Sequence, residues 1–107
     1  MYATIRRYTI RDTTAAQDAV SGLKRRIEEN FLPMLQDVQG FHSYYVVNAN
    51  YRELVTVSIF ESVAGAQEST RRAAEFVRTD PAREMLSSPE VIEGDLLLSK
   101  DAAVGTH

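Results

Sequence analysis

GFHSYYVVNANYRELVTVSIFES, residues 40–62, is the stretch that decides how this chain folds. It holds two runs rich in β-branched and aromatic residues, Phe41–Asn48 and Leu54–Phe60, joined by the polar segment Ala49–Glu53. Such side chains fit a pleated, packed surface, so the stretch reads as a β-hairpin. Asn48, Asn50 and Arg52 punctuate the join, but no Asn-Gly or Asp-Gly fixes the turn type. Alternation places Phe41, Tyr45 and Val47 opposite Tyr44 and Val46, and Val55, Val57 and Ile59 opposite Leu54 and Phe60.

Upstream of the hairpin, Ala16, Val20, Leu23, Ile27 and Phe31 recur at steps of three or four, the stripe of an amphipathic helix. Thr14 with Gln17 three residues on reads as its capping box. Gly22 inside the helix predicts a close approach to the sheet, and Pro33 predicts a bend or a stop. Before this helix, Tyr2–Ile10 alternates as a strand, with Arg6 on the face shared by Tyr2, Tyr8 and Ile10. Downstream, Ser62 caps a second helix over Val63–Thr79 whose stripe is mostly small: Ala66, Thr70, Ala73, Ala74 and Val77, with Phe76 the one large member. Asp80-Pro81 starts a short helix ending near Ser87-Ser88-Pro89, and Val91–Ser99 alternates as a last strand.

Strand–helix–strand twice over predicts an α+β fold of ferredoxin-like βαββαβ type, with a four-stranded antiparallel sheet. Right-handed crossovers put both helices on one face of that sheet. The other face carries enough apolar side chains to need a cover, and no further element of the chain supplies one. The expectation is a homodimer through the sheet face.

Composition bounds what such a domain does. Residues 1–100 read as one domain and 101–107 as a flexible tail. A net charge of −3 speaks against nucleic acid as a partner. The absence of cysteine removes thiolate chemistry and fits a cytoplasmic location, and no apolar run reaches the roughly 20 residues of a membrane span. Neither a phosphate-binding glycine loop nor a His-Glu metal motif is present, so no cofactor and no metal are expected.

Three passages resemble the antibiotic-biosynthesis-monooxygenase-like (ABM) family of dimeric α+β barrel proteins: MYATIRRYTI, FLPML with GFHSYYVV, and VTVSIFESVAGAQESTRRAAEFV. The resemblance covers most of Met1–Lys100. It implies a pocket between sheet and helices in each subunit, and an activity such as cofactor-independent monooxygenation of an aromatic or quinone-like substrate. Two departures stand out. Several active members carry a Trp just before the Glu-Ser that opens the second helix, where this chain has Phe60. Haem-degrading members use an Asn on the first strand and a His on the second helix, where this chain has Arg6 and no His; haem degradation is not expected.

Several residues are candidates for the site. Arg6 would hold an anionic or enolate oxygen by charge-assisted hydrogen bonds. The commoner fate of a buried arginine is an ion pair, here with Glu93 or Asp95. His42 is the histidine inside the predicted fold and the candidate proton relay, with a tyrosine as the other choice. Tyr8, Tyr44, Asn48, Phe60 and Phe76 are the candidate substrate-binding residues, and each also has an ordinary role in a core or a sheet. Arg71, Arg72, Arg78 and Arg83 are interleaved with Glu68 and Glu75. They form either a charge-balanced solvated face or an attraction for anions at a pocket mouth. A cofactor-independent monooxygenase is the first expectation, and a non-catalytic homodimeric ligand-binding or structural protein is the alternative.

Overall fold

In a computed structural model describing residues 1–11 and 15–101, the chain runs β1 (Tyr2–Thr9), α1 (Ala16–Arg26), a π-helical turn (Ile27–Phe31), α2 (Leu32–Gln36), β2 (Phe41–Ala49), β3 (Glu53–Phe60), α3 (Val63–Thr79), α4 (Ala82–Met85) and β4 (Glu90–Asp95). The expected Thr14 cap and residues 102–107 of the expected tail lie outside the described residues. The four strands form one sheet in the order β2-β3-β1-β4, and every neighbouring pair is antiparallel. This is the ferredoxin-like α+β arrangement expected from the order of elements.

The hairpin closes without glycine. Asn50 and Tyr51 both adopt left-handed backbone, with φ of 55° and 58°. Arg52 N–H donates to Ala49 O at 3.1 Å, and Tyr51 N–H to Asn48 Oδ1 at 2.9 Å. The side chain of Asn48 thus supports the turn.

Alternation holds along β3, where Leu54, Thr56, Ser58 and Phe60 are buried and Val55, Val57 and Ile59 are half-buried. On β2 it breaks once. The register passes from Phe41↔Phe60 to Ser43↔Ile59, so His42 is the extra residue of a bulge. Phe41 is thereby turned to the helix-covered face, away from Tyr45 and Val47. There it meets the edge of Phe60 at 5.7 Å.

The first helical segment is continuous but not uniform. Leu23, Ile27, Phe31 and Leu35 are all buried, at successive steps of four. On an α-helix each such step drifts by about 40° around the axis. The wider i→i+5 turn over Ile27–Phe31 cancels part of that drift and keeps the four side chains on the core. Pro33, lacking an N–H, follows directly on the π-helical turn, in the first turn of α2. Gly22 is not a point of contact with the sheet. The Arg26 guanidinium lies over it, and Arg26 Nε reaches both oxygens of Asp80 at 3.0 and 3.1 Å. Asp80 also caps α4, accepting from Ala82 N–H at 2.9 Å.

Helix α3 is seated closely at its start. Ser62 Oγ accepts from Gly65 N–H, as expected of an N-cap. A Cβ on Gly65 would lie 2.9 Å from Gln39 O and 3.0 Å from Phe60 Cδ1, so only glycine fits. Strand β4 is shorter than expected, ending at Asp95 rather than Ser99. Asp95 faces Tyr2, and Leu96 N–H still reaches Met1 O, but beyond it the chain has no partner strand among the described residues. Leu97 and Leu98 are consequently 93% and 86% exposed. No helix among the described residues is long and apolar enough to cross a membrane.

Candidate functional site

The site is built around Arg6. Its even position on a central strand points it toward the helices, and both flanking strands keep it from reaching water. Arg6 is 2% exposed. Across the sheet its neighbours in register are Thr56 and Val91, so no acid stands beside it. Glu93 and Asp95 face Thr4 and Tyr2 instead and remain exposed. The expected ion pair does not form: Arg6 has no salt bridge to any described carboxylate.

Hydroxyl groups surround the guanidinium instead. Arg6 Nη2 donates to Thr70 Oγ1 at 2.7 Å, with longer contacts of 3.4 Å from Nη2 to Ser69 Oγ and from Nη1 to Ser58 Oγ. Ser69 and Thr70 both donate their own protons to Ala66 O, at 2.7 and 3.1 Å, which turns their lone pairs toward the arginine. Small residues on this side of α3 make the space for it. Among the described residues Arg6 Nε has no hydrogen-bond partner, nor does the Thr4 hydroxyl beside it in the strand. Burying a cation without a directly paired anion is destabilising by several kcal/mol.

Arg6 lines two adjoining cavities. The larger, about 290 Å³, lies between β1, the second half of α3 and the connection from α4 to β4. A break in pairing opens it. Beyond the β4 ladder, Ser87 takes over as a partner of β1: Ser87 N–H donates to Thr9 O, and Thr9 N–H to Ser87 Oγ, both at 2.9 Å. Pro89, which has no N–H to give, stands between that contact and Glu90 opposite Arg7. The smaller cavity, about 30 Å³, holds the aromatic side chains. Phe31 packs there against Tyr44 and Phe76, with ring centroids 5.7 and 5.3 Å apart.

Burial lowers the affinity of Arg6 for its proton, an effect that the nearby Tyr8, Tyr44 and Glu93 oppose. Arginine titrates so high that it stays charged. Burial raises the Tyr8 phenol above its ordinary value against the pull of Arg6, and raises Tyr44 further. Both phenols are therefore neutral donors at physiological pH.

The structure brings Arg6, Tyr8, Tyr44 and Phe76 to one place. His42, Asn48 and Phe60 line neither cavity. His42 is exposed on the bulge with Nδ1 3.1 Å from Ser43 Oγ, Asn48 serves the hairpin turn, and Phe60 is fully buried beneath Gly65. Phe31, Ser69 and Arg11 were not anticipated as parts of the site. The steps of four through Phe31 were the available signal for that residue. The arginines of α3 and α4 divide. Arg71 and Arg72 pair with Glu68, whose carboxyl they hold down at about 2, whereas Arg78 and Arg83 line the larger cavity. No cluster of three or more His, Cys, Asp or Glu that could hold a metal occurs among the described residues.

No family model and no curated protein sequence matches the chain. Solved structures do. A dimeric ferredoxin-like protein from an uncultured marine organism is similar at a TM-score of 0.73 and 9% identity, over 94% of this chain and 98% of that one. A candidate antibiotic biosynthesis monooxygenase from Nitrosomonas europaea follows at 0.68 and 13% identity, over 92% and 100%. A variant of SnoaB, a cofactor-independent oxygenase from Streptomyces nogalater, matches at 0.64 and 10% identity, over 92% and 94%. The chain has the fold of these proteins, the one its sequence resembles.

Proposed function

We propose that this protein binds a planar aromatic or quinone-like molecule between the sheet and α3, with an ionised oxygen against Arg6. One observation carries the reading: a guanidinium 2% exposed, without a carboxylate and with an unpartnered Nε, lines an open cavity. Tyr8 and Tyr44 would add neutral hydrogen-bond donors, and Phe31 and Phe76 an aromatic wall.

The proposed reaction is a monooxygenation without cofactor, and likeness in fold to SnoaB, described as such an oxygenase, supports it. In this chemistry the substrate carbanion itself reduces oxygen. A ring methylene becomes a carbonyl, one oxygen atom is retained, and the other leaves as water. The protein need only favour the enolate and exclude bulk water. Arg6 would lower the pKa of the bound oxygen enough to make its anion the resident form. No side-chain base is then required inside the cavity, and His42 is not part of the proposed mechanism. The second reading, a binder without catalysis, is favoured by the lack of any His, Asp or Glu among the described residues of the cavity walls.

The proposal includes a homodimer in which open sheet faces meet, supported by the row Tyr45, Val57, Ile5 and Ile92 across that face and by the dimeric neighbour. A cytoplasmic location belongs to the same reading. The test is a difference spectrum of 2-naphthol with the protein near pH 7, where free naphthol is neutral, followed by oxygen uptake on naphthalene diols. A naphtholate band is expected on binding. A neutral spectrum, or no binding, contradicts the proposal, and anion binding without oxygen uptake selects the non-catalytic reading.

A further inference from the structure

The larger cavity carries charge at both of its ends. Arg6 closes the buried end, while Arg11, Arg78 and Arg83 stand exposed where the cavity meets solvent. The chain as a whole is acidic, with a net charge of −3, yet among the described residues the cavity lining contains four arginines and neither Asp nor Glu. Arg83 is balanced by Glu84 at 3.3 Å. Neither Arg11 nor Arg78 forms a salt bridge with a described residue. The contrast with Arg71 and Arg72 is informative, since those two, on the same helix, are neutralised by Glu68. Between the two ends the wall is mostly apolar, with Ala74, Val77, Leu86, Pro89 and Val91.

From this layout we infer that the ligand is an aromatic acid with two anionic ends. A phenolate or enolate oxygen meets Arg6, the ring lies along the apolar wall, and a carboxylate at the far edge meets Arg78 and Arg11. This rests on the proposed small-molecule site and narrows its substrate class. Carboxylate suits the rim because a guanidinium presents two parallel donors to it. The cavity of about 290 Å³ stands at the lower end of small-molecule pockets, which favours a compact ligand of two fused rings.

The experiment compares 6-hydroxy-2-naphthoate with its methyl ester by fluorescence titration against the purified full chain. The ester keeps the ring and the phenol and loses only the carboxylate charge. The acid is expected to bind about tenfold more tightly than the ester. In Arg78→Gln combined with Arg11→Gln, the acid-to-ester ratio is expected to collapse toward one, and Arg78→Lys to restore part of it. Both substitutions are at exposed positions, and thermal unfolding checks that the variant is folded. Acid and ester bound equally well, both as phenolates, overturn this inference and leave the Arg6 site standing. A preference that survives the rim substitutions but disappears in Arg6→Met also overturns it, because the carboxylate then sits at the buried end. Failure of both probes to bind overturns the two readings together.

Discussion

Each face of the sheet holds one group of residues unusual for a half-covered sheet. Under the helices, where apolar residues are the norm, Thr4, Arg6, Thr56 and Ser58 are buried. On the open side, where polar residues are the norm, the row across the strands is Tyr45, Val57, Ile5 and Ile92, of which Tyr45 and Ile92 are 56% and 59% exposed. A fold selected for stability alone would place these sets the other way round. The difference fits the separate tasks proposed for the two faces. The covered face keeps polar groups that a ligand can use, and the open face keeps apolar surface that a second protein can cover.

Substitutions at named positions break or sharpen this contrast. The largest effect is expected on the open face. Val57→Asp places a charge at the middle of the apolar row and raises the dimer dissociation constant by about 1,000-fold or more. Analytical ultracentrifugation checks it; an unchanged mass, monomer or dimer, removes the open face as an interface. Next comes the tight end of the covered face. Gly65→Ala drives a Cβ against Gln39 O and Phe60 Cδ1, with an expected loss of about 1–3 kcal/mol in chemical denaturation. An equal loss in Ala74→Val, at the open end, would deny that the two ends of α3 are seated differently. The smallest effect is at Thr70, the closest hydroxyl to Arg6. Thr70→Val weakens 2-naphthol binding about fivefold, the worth of one orienting hydrogen bond, with little change in unfolding.

How much of this the sequence discloses follows from which interactions are local. Alternation along one strand is local, so the faces of Arg6, Tyr8, Tyr44 and Val57 were legible, as were the caps at Ser62 and Asp80. Register between strands is not local. The residue beside Arg6 is set by how β4 slides along β1, and that step put Val91 there while leaving Glu93 and Asp95 farther along. The same limit hid the end of β4, whose alternation continues past Asp95 after its pairing stops. The bulge at His42 reversed Phe41, and neither Gly nor Pro lies within Phe41–Ser43 to mark it. Conversely, four arginines close in sequence looked like a single group. Two of them proved to be balanced by Glu68 and two to line the cavity, a division made by where α3 ends and α4 turns back.

The variant Arg6→Met tests most directly whether Arg6 serves a ligand at the expense of stability. Methionine keeps most of the volume and removes the unneutralised charge. Thermal unfolding and 2-naphthol titration are measured side by side on the variant and the wild type, at one protein concentration. The expected result is a gain of about 1–2 kcal/mol, raising Tm by about 5 °C or more, together with a loss of naphtholate binding of about 100-fold. A variant that unfolds earlier and still binds naphtholate as well as the wild type would contradict it, and would make Arg6 a structural residue held by its three hydroxyl neighbours.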